Sequence, residues 1–247
     1  EPSPGESNSN PWLEPQFYMA HFALTHIGEG EHRAAERFSR QGPGLAGATF
    51  LPNQEQQRDE LKVSEEKNLH RVWLADWQLQ SEVAAELLPL TLSASDDEQQ
   101  IALRLNAAAI KPMVLQGEGG LSLKNAEGGA SFYYSYPRIE VDGELQWQGQ
   151  GYEVEGLAWF DHEWSSNSLA DYQAGWDWFS LQLDDGRDLM YYRFRNTDGS
   201  LGLSHLNIVD AQGRLTAIDP QGLELQVVDH WRSSDGREYP SGWLLKI

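Results

Sequence analysis

Between Ala158 and Ser166 the sequence reads AWFDHEWSS, a short run holding an imidazole, two carboxylates, two indoles and two hydroxyls. Shortly after it, Gly175 to Phe179 reads GWDWF, a second aromatic cluster with an acid embedded in it. Side chains alternate between the two faces of a strand. If 158–164 is extended, Ala158, Phe160, His162 and Trp164 share one face, while Trp159, Asp161 and Glu163 share the other. An imidazole set beside aromatic rings suits proton transfer to a greasy molecule. Hydrating an isolated double bond needs an acid, a ring face to steady the carbocation, and water. His162, with Asp161 or Asp177, would supply acid or base. Trp164, Trp176 and Trp178 would form the aromatic wall, with Trp159 and Phe179 adding to the ligand-binding surface. A structural account fits the same residues: an Asp-His pair often closes a strand end as a hydrogen-bonded latch, and Trp-rich strands are ordinarily core. The residues alone leave both readings open.

The elements that must position these groups read as short strands. Phe17 to His26 is an apolar run with alternating character, and Val72 to Leu79 (VWLADWQL) is another. Ile101, Leu103 and Leu105 alternate with Ala102, Arg104 and Asn106, a period of two. Ser131 to Ile139 is dense in strand-forming aromatics, and Pro137 there predicts an edge or a bulge. Asp185-Gly186 predicts a hairpin, and Thr197-Asp198-Gly199-Ser200, Gln212-Gly213 and Ser234-Asp235-Gly236 add further turn signals. This is the pattern of an antiparallel meander, so the fold class is all-β. The only helices the pattern allows are short, around 31–38 and 81–87. Residues 1–15 read as a disordered lead-in and 53–68 as a solvated loop or short exposed helix.

Composition removes several classes of function. Eighteen basic against 38 acidic residues give a net charge of −20, which repels nucleic acid and anionic membranes. The absence of Cys excludes disulfides, thiolate nucleophiles and Cys-based zinc sites. No apolar run approaches the roughly eighteen residues of a membrane-spanning helix. The first residues lack the basic start and apolar core of a signal peptide, which leaves export undecided. No Gly-x-Ser-x-Gly, Walker loop, Gly-x-Gly-x-x-Gly or His-Glu-x-x-His motif is present. His21 and His26 face opposite ways if extended and make a poor metal pair. Neither a metal nor a cofactor is expected.

Several phrases are specific as an ordered set: YMAHFALT from Tyr18, GLAG from Gly44, RVWLADW from Arg71, KPMVLQG from Lys111, ASFYYS from Ala130, the stretch 156–166, Gly175 to Arg187, and YPSGW from Tyr239. Together they resemble the carotenoid 1,2-hydratase-like family, especially its AttH-like bacterial branch, over roughly residues 16–247. The resemblance implies tandem lipocalin-like barrels, the first over 16–168 and the second beginning at 169 and running to 247. It implies a His-x-Trp pair at His162 and Trp164, followed by a Tyr-x-Asp pair. Tyr191 and Tyr192 stand in that second region, with Arg193 and Phe194 where the Asp would fall. Family members usually carry a Trp-Trp-Tyr strand upstream and several more strands after the YPSGW phrase. The second barrel is therefore expected to be truncated here, as in a fragment or a chain completed by a second one. The function implied is binding or carriage of a lipophilic small molecule, a terpenoid or lipid, in a barrel cavity. The alternative is a hydro-lyase adding water to an isoprenoid double bond. A periplasmic or secreted location and transporter components as partners follow from the same resemblance.

Overall fold

The computed structural model describes residues 16–49, 69–83, 86–165 and 169–246. The expected lead-in at 1–15 and polar loop at 53–68 lie outside the described residues. Within them the chain is antiparallel β almost throughout, and the helical element is a single 3-10 turn at Pro220–Gly222.

Strands β1 (Phe17–His26) and β2 (Glu31–Arg40) pair as a two-stranded sheet. Next come β3 (Ala46–Thr49), β4 (Arg71–Leu74), β5 (Trp77–Ser81), β6 (Leu90–Asp96), β7 (Ile101–Ala109), β8 (Val114–Leu115), β9 (Leu121–Leu123), β10 (Ala130–Trp147) and β11 (Gln150–Trp164). They form one sheet in the order β11-β10-β7-β6-β5-β4-β3, with β8 and β9 paired to β10. A four-stranded meander follows, β12 (Gln173–Gln182), β13 (Asp188–Asn196), β14 (Leu201–Val209) and β15 (Leu215–Ile218). The last two strands, β16 (Glu224–Arg232) and β17 (Glu238–Lys246), pair with each other. The chain divides into two compact units, one drawing on residues up to 110 and on 139–158, the other on 111–138 and 159–247.

In the first unit Phe22 of β1 packs with Trp77, Ile101 and Trp147, and Ala35 of β2 joins from the partner strand. Arg33 and Arg37 of β2 lay their guanidinium groups over the Trp147 and Trp77 rings at 5.0 and 4.4 Å. That contact explains why 31–38 is a strand and not the helix its composition suggests. In a helix, the alternate positions Arg33, Ala35 and Arg37 could not all face the same core, so packing overrides propensity. The second expected helix, around 81–87, is also absent among its described residues: Ser81 ends β5. The single strand expected over 72–79 is two, β4 and β5, hinged at Ala75, which adopts a left-handed φ of 55°. Alanine carries no turn signature, so the sequence hides this hinge.

In the second unit β13 is buried on both faces. Met190, Tyr192 and Phe194 pack with Tyr133 and Trp159 on one side. Leu189 and Tyr191 pack on the other with Leu206 and Leu223, joined by Phe179, Leu225 and Leu245. The Asp185-Gly186 turn joins β12 to β13, with Gly186 at a φ of 82°. Asp188, fully buried at the start of β13, accepts from Arg138 Nε and Nη2 at 3.0 and 2.8 Å and from Lys111 Nζ at 2.6 Å. Pro137 does not end β10. It is buried at the step where the strand's partner changes, after Ser135 pairs with Val114 and before Ile139 pairs with Ala109.

Candidate functional site

The alternation of β10 sends Ser131, Tyr133 and Ser135 to the buried face and leaves Phe132, Tyr134 and Tyr136 on the other. Residues 159–164 of β11 follow suit, and each inward carboxylate finds a serine. Asp161 accepts from Ser135 Oγ at 2.5 Å and from Trp159 Nε1 at 2.9 Å. Glu163 accepts from Ser131 Oγ at 2.5 Å and forms an ion pair with Lys124. Opposite them, the register pairs Trp176 with Phe194 and Trp178 with Tyr192, so all four rings share one face of β12–β13.

These rings border a cavity of about 380 Å³. Tyr133, Trp164, Trp176, Trp178, Tyr192 and Phe194 form its aromatic wall, and Lys124, Ser131 and Glu163 its polar end. The Lys124 ammonium sits 5.4 Å from the Tyr133 ring centre and 5.0 Å from that of Tyr192, within cation–π range of both. Trp178 Nε1 donates to the Tyr133 hydroxyl at 3.2 Å. The Tyr192 hydroxyl donates to the Leu123 carbonyl at 3.1 Å and shares a 2.9 Å bond with Ser122 Oγ. Burial raises both phenols above the usual tyrosine value, Tyr133 strongly, and nearby Asp161 pushes Tyr133 further. Both are neutral at physiological pH.

His162 points to the opposite face of β11. Its Nδ1 shares a 2.8 Å hydrogen bond with the Tyr134 hydroxyl, and its ring lies 4.9 Å from that of Trp164. Burial lowers its pKa, so the imidazole is neutral at physiological pH. Asp177 lies on the far side of β12, held by Arg193 Nε at 3.0 Å and near Arg195 at 3.5 Å. Phe179 stacks on Tyr191 at 6.1 Å and meets Trp243 edge-on at 5.4 Å, within the second core.

The residues singled out in the sequence are thus divided between faces. Trp164, Trp176, Trp178 and Tyr192 line one cavity, with Trp159 and Asp161 supporting its wall. His162, Asp177, Phe179 and Tyr191 do not line it. The single pocket expected to hold His162 and Asp177 with the tryptophans is therefore corrected: one-residue steps set His162 opposite Asp161 and Glu163, and Asp177 opposite Trp176 and Trp178, while Trp164, on the His162 face at the end of β11, still borders the cavity. Sequence reading passed over Lys124, Ser131, Tyr133 and Phe194 as site residues, and Glu163 entered it only as a neighbour of Asp161 on one strand face. The alternation of Ser131, Tyr133 and Ser135 against Trp159, Asp161 and Glu163 could have found most of these. Lys124, just past the end of β9, had no signal.

The AttH-like family profile matches residues 1–247, the whole chain. The chain belongs to the AttH-like family. A solved structure from Nitrosomonas europaea, assigned as an AttH, is similar to this AttH-like chain with a TM-score of 0.73 and 28% identity, covering 94% of this chain and 66% of that one. Kievitone hydratase from Nectria haematococca is similar with a TM-score of 0.66 and 16% identity, covering 94% of this chain and 64% of that one, a likeness of fold alone. The AttH-like chain therefore spans just under two thirds of either structure's length. No curated protein matches it.

Proposed function

We propose that this AttH-like chain binds and carries a lipophilic small molecule, a terpenoid or lipid, in the cavity between β10–β11 and β12–β13. The observation that carries the reading is the state of three tryptophans. Trp164, Trp176 and Trp178 are 49%, 55% and 40% exposed around one hollow, although burying apolar surface gains roughly 25 cal/mol per Å². A ligand laid against these rings supplies the burial that the fold withholds. A cavity of this size, mostly aromatic with a few convergent polar groups, suits one small molecule.

The test is titration with N-phenyl-1-naphthylamine, a neutral lipophile that fluoresces when desolvated. Saturable one-site binding that Trp176→Ala and Trp178→Ala each weaken supports the reading. No binding, or binding indifferent to both substitutions, sinks it.

A hydro-lyase acting on an isoprenoid double bond is the second reading, favoured by the fold shared with kievitone hydratase. On this reading the acid belongs to the cavity face, at Glu163 or Tyr133, because His162 lies across the strand from it. Incorporation of ¹⁸O from labelled water into an isoprenoid product separates enzyme from carrier.

A further inference from the structure

We infer that the polar end of this cavity selects a neutral lipophile bearing a hydroxyl, and turns away the matching carboxylic acid. The inference rests on the binding role just proposed and specifies its ligand. It follows from an account of which polar groups on the wall are already engaged. Ser131 Oγ donates to Glu163. The Tyr133 hydroxyl accepts from Trp178 and faces Asp161. The Tyr192 hydroxyl is held by Leu123 and Ser122. Lys124 is the one cation of the lining, and its charge is compensated three times over: by Glu163, by the faces of Tyr133 and Tyr192, and by Ser122 Oγ at 3.3 Å.

Glu163 is different. A carboxylate offers about four acceptor sites on two oxygens and no donor. The contacts from Ser131 and Lys124 both fall on Oε1, which leaves Oε2 to accept. Its side chain is 42% exposed and borders the cavity, so a ligand can reach it. What the polar end still lacks is therefore a hydrogen-bond donor. A ligand hydroxyl supplies one. A ligand carboxylate supplies none and brings a second negative charge beside Glu163, with Asp161 close behind on the same face of β11. Lys124, already neutralised, cannot repay that repulsion.

Glu163 should thus act as the gatekeeper of ligand charge, and removing its charge should reverse the preference. Farnesol, farnesoic acid and farnesylamine share one hydrocarbon body and differ at the head. Their displacement of bound N-phenyl-1-naphthylamine at pH 7.5 gives three affinities. Farnesol should bind about tenfold or more tighter than farnesoic acid, and at least as tightly as farnesylamine, whose ammonium must shed far more hydration than a hydroxyl to enter an aromatic hollow. Glu163→Gln should weaken farnesol severalfold and strengthen farnesoic acid, because Lys124 is then free to meet a carboxylate. Lys124→Met should weaken the acid further while sparing the alcohol. These opposite shifts in acid affinity cannot both come from damage to the fold. Equal binding of alcohol and acid, tighter binding of the amine, or a Glu163→Gln protein with an unchanged alcohol-to-acid ratio overturns the inference while leaving the binding role intact. Failure of the naphthylamine itself to bind overturns both.

Discussion

The first unit and the second use tryptophan in opposite ways. Trp77 and Trp147 are 5% and 7% exposed, and each carries an arginine over its ring. Arg37 also donates to the Ser95 carbonyl, and Trp77 Nε1 donates to the same oxygen, so ring, cation and backbone close into one unit. Trp164, Trp176 and Trp178 in the second unit are about half exposed, and among the described residues no guanidinium covers them. A tryptophan ring that is buried and capped has its apolar surface and its face covered by the protein, even where, as at Trp147, its Nε1 is buried without a hydrogen-bond partner. One left bare on a cavity wall has not, and that difference separates core from site better than counting aromatic residues does.

Removing a capped ring should hurt most. Trp147→Ala should cost about 3–5 kcal/mol of stability in denaturant titration, while the folded fraction keeps its affinity for the naphthylamine. Trp178→Ala should do the converse, lowering that affinity about tenfold with a stability loss of about 1 kcal/mol or less. Parity of the two variants in either measurement would erase the distinction between the units. Taking away the cap and keeping the ring is milder: Arg37→Ala should cost about 1 kcal/mol through lost cation–π contact and stem packing, with ligand binding unmoved.

The smallest effect concerns pH. His205 of β14 stacks on Tyr192 at 5.6 Å, and its Nε2 is buried without a partner. Burial first, and Lys124 second, hold its pKa below the ordinary histidine value, partly offset by a hydrogen bond with Asn207. Below a pH of about 6.5 the unfolded chain therefore takes up protons at this position more readily than the folded one. Stability from this source is complete above that pH and declines as the pH falls toward the folded-state pKa. His205→Phe should flatten the decline in melting temperature between pH 7.5 and 5.5, leaving only the share due to other groups such as His162, whose pKa is shifted in the same direction. An unaltered slope in the variant would assign the acid limb elsewhere.

Much of the strand pattern was open to a reader of the sequence. Phe17 to His26 emerges as β1 and Ile101 onward as β7, because each has one face in the core and the alternation survives. The glycine turns at 186, 199, 213 and 236 all take positive φ, a conformation that glycine adopts without strain. The alternation written into 158–164 also holds, with Trp164 at the strand end bordering the cavity from the His162 face. What could not be read was which of its two faces met the cavity, since that depends on β12 and β13 crossing opposite Trp159 and not opposite His162. A strand buried on both faces, such as β13, leaves no alternation to interpret, so Tyr191 and Tyr192 looked equivalent in sequence and point into different cores. The helix expected at 31–38 failed for a related reason: its arginines are committed to the rings of Trp77 and Trp147, far away in the chain.

Asp188 has a consequence for behaviour at high ionic strength. With Lys111 and Arg138 it makes an ion cluster whose three side chains are 0%, 4% and 15% exposed, out of reach of most dissolved counter-ions. The surface around it carries the bulk of a net charge of −20, a self-repulsion that dissolved ions do attenuate. Adding sodium chloride should therefore relieve the strain of crowded like charges while leaving the internal anchor of β13 intact, so that the protein grows firmer in brine where proteins reliant on exposed ion pairs loosen.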